Sequence, residues 1–225
     1  MREQPHMKQT IQLLALVAAL HAASPARAHA DAHAQAAGAQ VPAAASGAAT
    51  GAARAPQDAR SYFTDLELVT QDGRSVRFYS DMLEGRTVVI NVIYTSCQDA
   101  CPLITQQLNE VRQRLPELFG KQVFFVTLSS DPKRDTPQAM KQFAQKQHAD
   151  VEGWTFLTGR QDHIDKILKK LGQYSETVEG HSTLLIAGNV PAKRWSKILA
   201  NAPSEAIALR LSVLAGATDA APAKP

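Results

Sequence analysis

The length and charge of this chain exclude several classes of function. It has 225 residues, a formal net charge of +3 and 44% apolar residues, which suits one compact domain with its own core. Without residues 1–28, whose charges come from Arg2, Glu3, Lys8 and Arg27, the net charge falls to about +1. A charge that small gives no case for nucleic acid or an anionic membrane as a partner.

The N-terminus has the pattern of an export signal. Arg2 and Lys8 precede an apolar run from Ile11 to Leu20, and small residues at positions 26, 28 and 30 offer two overlapping cleavage sites. This pattern predicts a cleavable signal peptide over residues 1–28 and a periplasmic location. The apolar run is about half of the roughly 20 residues that a membrane span needs, so a retained membrane anchor is the less favoured alternative.

Composition divides the rest of the chain. Residues 29–59 are rich in Ala, Gly, Pro and Gln without hydrophobic periodicity, and they are predicted to form a disordered linker. Residues 60–216 are predicted to form the folded domain, and residues 217–225 a disordered tail. Nothing in the pattern suggests an obligate dimer, so we expect a monomer.

The predicted elements alternate strand and helix. Asp65–Val69 and Ser75–Tyr79 flank a turn containing Gly73 and predict a hairpin. Further strands are predicted at Thr87–Tyr94, Val123–Leu128, Trp154–Leu157 and His181–Ala187, and helices after Pro102, from Pro137 to about Gln147, at Asp162–Leu171 and from Pro203 to Gly216. This order predicts an α/β, thioredoxin-like fold: a central, mainly parallel sheet with helices on both faces and an N-terminal β-hairpin.

Only two cysteines occur, Cys97 and Cys101, and they follow the apolar strand that ends near Tyr94. Ligands of open α/β sheets gather where strands give way to helices, and a helix N-terminus there favours thiolate over thiol. The pair could form a structural disulfide, exchange disulfides, or hold a soft ion such as Cu(I). A bridge that closes so few residues stabilises a domain little, which counts against the structural disulfide.

A copper site made of two thiolates needs a third ligand, and an imidazole would serve. His181 is the histidine predicted at the entrance of a strand facing the cysteines. His148 and His163 fall in polar parts of helices, where solvated or capping roles are expected. Oxidoreductases of the thioredoxin-like fold usually have a cis-proline before this strand, whereas this chain has His181 and Ser182.

Three ordered motifs resemble the Sco/SenC family of copper-binding, thioredoxin-like proteins: Val88-Val-Ile-Asn-Val-Ile-Tyr-Thr-Ser-Cys-Gln-Asp-Ala-Cys-Pro102, Val126-Thr-Leu-Ser-Ser-Asp-Pro-Lys-Arg-Asp-Thr-Pro137 and Gly180-His-Ser-Thr183. The resemblance covers about residues 60–214. It implies that Cys97, Cys101 and His181 bind copper, as Cu(I) or Cu(II). It also implies delivery of copper to the CuA centre of a cytochrome c oxidase subunit or another periplasmic copper protein, or reduction of the disulfide in that target.

Two aspartates lie in the second motif. Asp131 is expected beside the ligands, where a carboxylate orients a ligand or tunes thiolate charge, with a turn-forming role as the alternative. Asp135 is expected only to help start the helix at Pro137. The chain departs from the family at Gln98, where many members have proline, and at Gly188–Trp195, where an acidic hairpin is common.

Two functional classes therefore stay open. The favoured one is a copper chaperone, and the rival is an enzyme, a thiol–disulfide oxidoreductase that acts through Cys97 and Cys101. A peroxide-reducing function is weaker, because no arginine is convincingly placed beside a lone nucleophilic cysteine.

Overall fold

A computed structural model of the protein describes residues 59–216; the predicted signal peptide, most of the predicted linker and the predicted tail fall outside this range. Its five α-helices are α1 Ala59–Phe63, α2 Ala100–Gln113, α3 Pro137–Lys146, α4 Gln161–Leu171 and α5 Ser204–Ala215. Its seven strands are β1 Glu67–Thr70, β2 Ser75–Arg77, β3 Thr87–Ile93, β4 Val123–Ser129, β5 Trp154–Thr158, β6 Leu185–Asn189 and β7 Arg194–Ile198.

All seven strands form one sheet in the order β2-β1-β5-β4-β3-β6-β7. The three central strands, β5, β4 and β3, run parallel, as predicted. The outer strands pair antiparallel, including the N-terminal hairpin of β1 and β2, so the sheet as a whole is mixed. The thioredoxin-like α/β class is confirmed, with parallel pairing confined to the sheet's centre.

Helices cover both faces of the sheet and bury two separate cores. One core joins α2, α3 and α5 to the sheet through residues such as Leu108, Met140 and Ile207. The other joins α1 and α4 to the opposite face through residues such as Phe63 and Ile167. Strand β3 is buried along its whole length, because its residues alternate between the two cores.

Three elements differ from the sequence expectation. The second hairpin strand ends at Arg77, and Phe78–Leu83 form a π-helix whose two pairs of buried side chains are spaced for a helix. Strand β6 begins at Leu185, four residues after His181. The histidine therefore does not lie at the entrance of this strand, where it was predicted. Strand β7 was missed because an edge strand with exposed Arg194 and Lys197 lacks an apolar pattern.

No helix within residues 59–216 is long and apolar enough to cross a bilayer. In α5 the side chains of Ile207, Leu211 and Leu214 are buried, whereas that of Leu209 is 61% exposed. The helix therefore contributes a narrow apolar stripe to the core.

Candidate metal and redox site

The cysteine loop, which we define as residues 94–101, continues directly from the centre of the sheet. In the parallel register Ile93 lies opposite Ser129, so β3 and β4 end at the same edge. The amide of Ser130 donates to the carbonyl of Ile93 at 2.8 Å, which fixes the point where the loop leaves the strand. The loop then enters α2, whose first residue is Ala100. The cysteine loop therefore starts from β3, a strand that is buried along its whole length.

The start of α2 acts on Cys97. The backbone N–H of Cys101 donates to the Cys97 sulfur at 3.4 Å, as expected for a sulfur at a helix N-terminus. Burial opposes ionisation of Cys97, but hydrogen bonds from the Cys101 side chain, from the Cys101 and Asp99 amides and from Tyr94 outweigh it. The net result is a Cys97 pKa below its ordinary value. The backbone N–H groups at the start of α2 therefore act on this sulfur in the predicted direction, toward the thiolate.

Cys101 behaves in the opposite way. It is 1% exposed, and burial together with its hydrogen bond to Cys97 raises its pKa to about 12. The charge of Asp135 acts in the same direction. Both residues are free thiols, so the pair consists of an ionisable outer sulfur and a protonated inner one.

Cys97 is the sulfur that faces open space. It lines a cavity of about 250 Å³ with Pro102 and Phe143, and an adjoining cavity of about 500 Å³ with Gln98 and Lys146. A ligand or a partner's sulfur that enters either cavity therefore meets Cys97 first.

His181 belongs to an irregular stretch, residues 173–184, which we call the histidine segment. Its side chain is buried, and Nδ1 lies 3.2 Å from the carbonyl oxygen of Ser182. Because a carbonyl only accepts hydrogen bonds, Nδ1 carries the proton and Nε2 keeps a free lone pair. Burial lowers the pKa of His181 below 6.5, against smaller opposing effects of Ser182 and Glu179. The imidazole is therefore neutral at pH 7, the form that binds metals.

Tyr94 connects the histidine to the cysteines. Its ring meets the His181 ring edge-on at 5.8 Å between centroids, and its hydroxyl is hydrogen-bonded to Cys97, which raises the pKa of Tyr94 to about 12. Within residues 59–216, however, no three His, Cys, Asp or Glu side chains are close enough together to hold a metal ion. The structure thus pairs the two predicted cysteines, and it places the predicted histidine one aromatic ring away.

The predicted neighbour of the ligands, Asp131, is on the histidine side. It is 6% exposed and lines a cavity of about 410 Å³ together with His181. Its Oδ2 atom lies 3.4 Å from the Arg134 guanidinium, and that oxygen has no hydrogen-bond partner among the described residues. Its carboxylate is therefore held beside the histidine's cavity.

Asp135 has a role that the sequence did not predict. Thr136, not Asp135, caps α3, since its hydroxyl accepts a hydrogen bond from the Ala139 amide at 3.2 Å. Asp135 is fully buried and accepts three hydrogen bonds: from the Thr95 amide at 3.0 Å, from the Thr95 hydroxyl at 2.6 Å and from the Ser129 hydroxyl at 2.6 Å. It thereby anchors the cysteine loop to the end of β4. The only signal in the sequence was a second acid four residues after Asp131.

A family model described as SCO1/SenC matches residues 54–187, which include both cysteines and His181. The chain belongs to the SCO1/SenC family. A SCO2-like protein of Rickettsia conorii is 33% identical over 119 residues, which are 52% of this chain and 54% of that protein. The chain spans about half the length of the curated relatives that it matches.

Solved structures of the same family share the fold. ScoI of Bradyrhizobium japonicum with copper bound is 25% identical, with a TM-score of 0.55, and the match covers 66% of this chain and 96% of that one. A SCO1/SenC family lipoprotein from Bacillus anthracis is 28% identical, with a TM-score of 0.58, and the match covers 67% of this chain and 92% of the lipoprotein. The predicted Sco/SenC family is therefore confirmed.

Proposed function

We propose that this protein is a periplasmic copper chaperone of the Sco type that holds copper through Cys97, Cys101 and His181. The observation that carries the proposal is the cysteine pair at the N-terminus of α2, with a neutral imidazole one ring away. Thiolates suit Cu(I) and an imidazole also suits Cu(II). Family membership and the copper-bound ScoI structure support the same assignment.

The donor set also suggests how copper is taken up and released. Cys97 is the sulfur that lines the cavities and binds first, and Cys101 loses its proton when the metal displaces it. The histidine segment then moves toward the sulfurs, so that Nε2 of His181 completes the site. Because one of the three proposed ligands can move away, the copper ion can pass to a recipient such as the CuA subunit of cytochrome c oxidase or another periplasmic copper protein.

An anaerobic Cu(I) titration of the reduced protein against a competing chelator tests the site. We expect one equivalent to bind, with affinity reduced by at least about 1,000-fold in Cys97→Ser and in Cys101→Ser. His181→Asn is expected to weaken Cu(II) binding by at least about tenfold and Cu(I) binding less, because the soft Cu(I) ion depends more on the thiolates than on the imidazole.

The matched control is His148→Asn, because His148 is exposed and its positive φ of 56° suits asparagine. It should leave both affinities unchanged. Equal copper affinities in His181→Asn and the wild type would show that His181 is not a copper ligand.

A thiol–disulfide oxidoreductase is the second candidate. It is supported by the contrast between Cys97, which is 9% exposed and lines a cavity, and Cys101, which is 1% exposed, because this suits attack by one sulfur and resolution by the other. In this case Cys101→Ser should trap a mixed disulfide with a reporter disulfide, at a rate that His181→Asn does not change. A strongly reducing potential with slow exchange would count against this candidate.

Export is part of the proposal. A signal peptide over residues 1–28 would be removed, and mass spectrometry of the protein from the periplasm should find a mature N-terminus at residue 29 or 31. Lipid attachment, as in the lipoprotein relative, would need a cysteine at that terminus, and the chain's two cysteines are Cys97 and Cys101. A protein that keeps residues 1–28 would contradict this part.

A further inference from the structure

A groove of about 510 Å³ lies on the sheet face opposite the cysteines, between α1, α4 and the β6–β7 edge. Its floor is apolar and formed by Phe63, Leu171 and Ile186, which belong to the core that lacks the cysteines, and Trp195 packs on the same core. Small-molecule sites typically measure about 300–1,000 Å³ and have mostly apolar walls. The groove therefore has the size and lining of a ligand site separate from the candidate copper site.

The indole of Trp195 forms one wall, and its position is built into the chain. A Cβ atom at Gly188 would collide with the Trp195 ring, so only glycine at this position lets the indole lie across strand β6. The Phe63 ring contacts the indole from the other side, at 4.7 Å between centroids. This wall lies in the hairpin that departs from the family pattern.

The rim of the groove is positively charged. Lys170 comes from α4, and Lys193 and Lys197 come from the hairpin, where neighbouring Arg194 turns away to bond the Leu214 carbonyl at 3.0 Å. No acidic residue lines the groove, and none of these three lysines forms an ion pair within residues 59–216. The Lys170 ammonium lies 5.3 Å from the centroid of the Tyr62 ring, and three ammonium groups without a carboxylate partner around an apolar floor attract an anion that also has an apolar part.

We propose that this groove binds a small amphiphilic carboxylate, free in solution, with its chain on the apolar floor and its carboxylate among Lys170, Lys193 and Lys197. A single molecule can enter, whereas a bilayer surface cannot reach a floor whose Phe63, Leu171 and Ile186 are each less than 8% exposed. The groove requires neither copper nor the proposed function.

Titration with dodecanoate tests the proposal, followed by calorimetry and by tryptophan fluorescence of the mature protein. Only two tryptophans occur, and Trp154 is 2% exposed, so a change in emission reports on Trp195. We expect one saturable equivalent with a dissociation constant on the order of 100 µM. Dodecyltrimethylammonium, which has the same chain and the opposite charge, should bind at least about tenfold more weakly.

The lysines are tested by a charge-matched pair of variants. Lys193→Gln with Lys197→Gln is expected to weaken dodecanoate binding about tenfold. Lys121→Gln with Lys166→Gln removes the same charge from exposed positions outside the groove and should leave binding unchanged. Trp195→Phe should remove the fluorescence change while calorimetry still detects binding.

Three outcomes would overturn the proposal. One is the absence of saturable binding, or binding without a change at Trp195. Another is equal loss of affinity in the two double variants, which would mean that net charge alone attracts the probe. The last is binding to phosphatidylglycerol vesicles without binding to monomeric dodecanoate, which would identify the lysines as a membrane contact.

Discussion

The cysteine loop and the histidine segment differ in how they are held. Asp135 ties the cysteine loop to the fold through hydrogen bonds of 2.6 to 3.0 Å. The histidine segment begins with a short bond from the Gln173 amide to the Leu168 carbonyl at 2.8 Å, but beyond it the segment is held by longer bonds, such as the Ser130 hydroxyl to the Val178 carbonyl at 3.5 Å and the Gln173 side chain to the Leu184 carbonyl at 3.3 Å. Short bonds to a buried carboxylate resist opening more than long neutral ones do. We infer that the two sulfurs of the proposed copper site are prearranged and that His181 is adjustable.

The cysteines themselves offer the largest test of prearrangement. In the folded, reduced protein, iodoacetamide should modify Cys97 at least about 100-fold faster than Cys101 near pH 8. The reason is that Cys97 has a lowered pKa and faces open cavities, whereas burial raises the pKa of Cys101 to about 12. Mass spectrometry of the peptides measures both rates. The protein unfolded in guanidinium is the control, where the two rates should be similar, and similar rates in the folded state would contradict the arrangement.

Removing the anchor of the cysteine loop should have the next largest effect. Asp135→Ala leaves the Thr95 amide, the Thr95 hydroxyl and the Ser129 hydroxyl without their acceptor. We expect the free energy of unfolding to fall by about 3 kcal/mol, measured by urea denaturation. Thr136→Ala is the control, because it removes only the α3 cap and should cost about 1 kcal/mol. Equal losses in the two variants would show that Asp135 is no stronger an anchor than an ordinary cap.

A change in the histidine segment should affect binding more than stability. A Cβ atom at Gly180 would press on the side chains of Ser175 and Thr177, which can rotate away. For Gly180→Ala we therefore expect less than about 1 kcal/mol of destabilisation together with severalfold weaker Cu(II) binding. Gly85→Ala is the control, since its φ of 77° gives a backbone cost far from the site without close neighbours. A large loss of stability in Gly180→Ala would mean that the segment is rigid.

The smallest expected effect is a pH dependence that arises from His181. Burial lowers its pKa below 6.5, so as the pH falls past 6.5 the unfolded chain takes up a proton that the folded protein does not. The wild type should therefore lose stability relative to His181→Asn as the pH falls from 7 to 5, and above pH 7.5 the difference between the two proteins should no longer change with pH. Paired urea denaturation curves across this range measure it. An opposite slope would mean that His181 is protonated when folded.

The sequence predicted much of the fold because residues that become buried recur at regular spacings along the chain. Strand β3 and helix α4 were predicted to within one residue at each end, since a continuous apolar run and a glycine after Leu171 define them. The π-helix was not predicted because its 6 residues are too few for a helical spacing to be told from a strand pattern, and β7 was not predicted because an exposed edge strand has no regular apolar spacing. For the site, the sequence indicated the cysteine pair but not Asp135, whose acceptor role depends on residues 40 and 6 positions away.

The sequence by itself determined the Sco/SenC family, the thioredoxin-like class and the placement of both cysteines at a helix start, because these depend on local order and spacing. Only the tertiary structure decided which sulfur is ionisable, which aspartate holds the loop and where His181 stands relative to them. These properties arise from burial and from hydrogen bonds between distant strands and loops. The same holds for the lysine-rimmed groove, which is assembled from α1, α4 and the β6–β7 hairpin and leaves no contiguous motif.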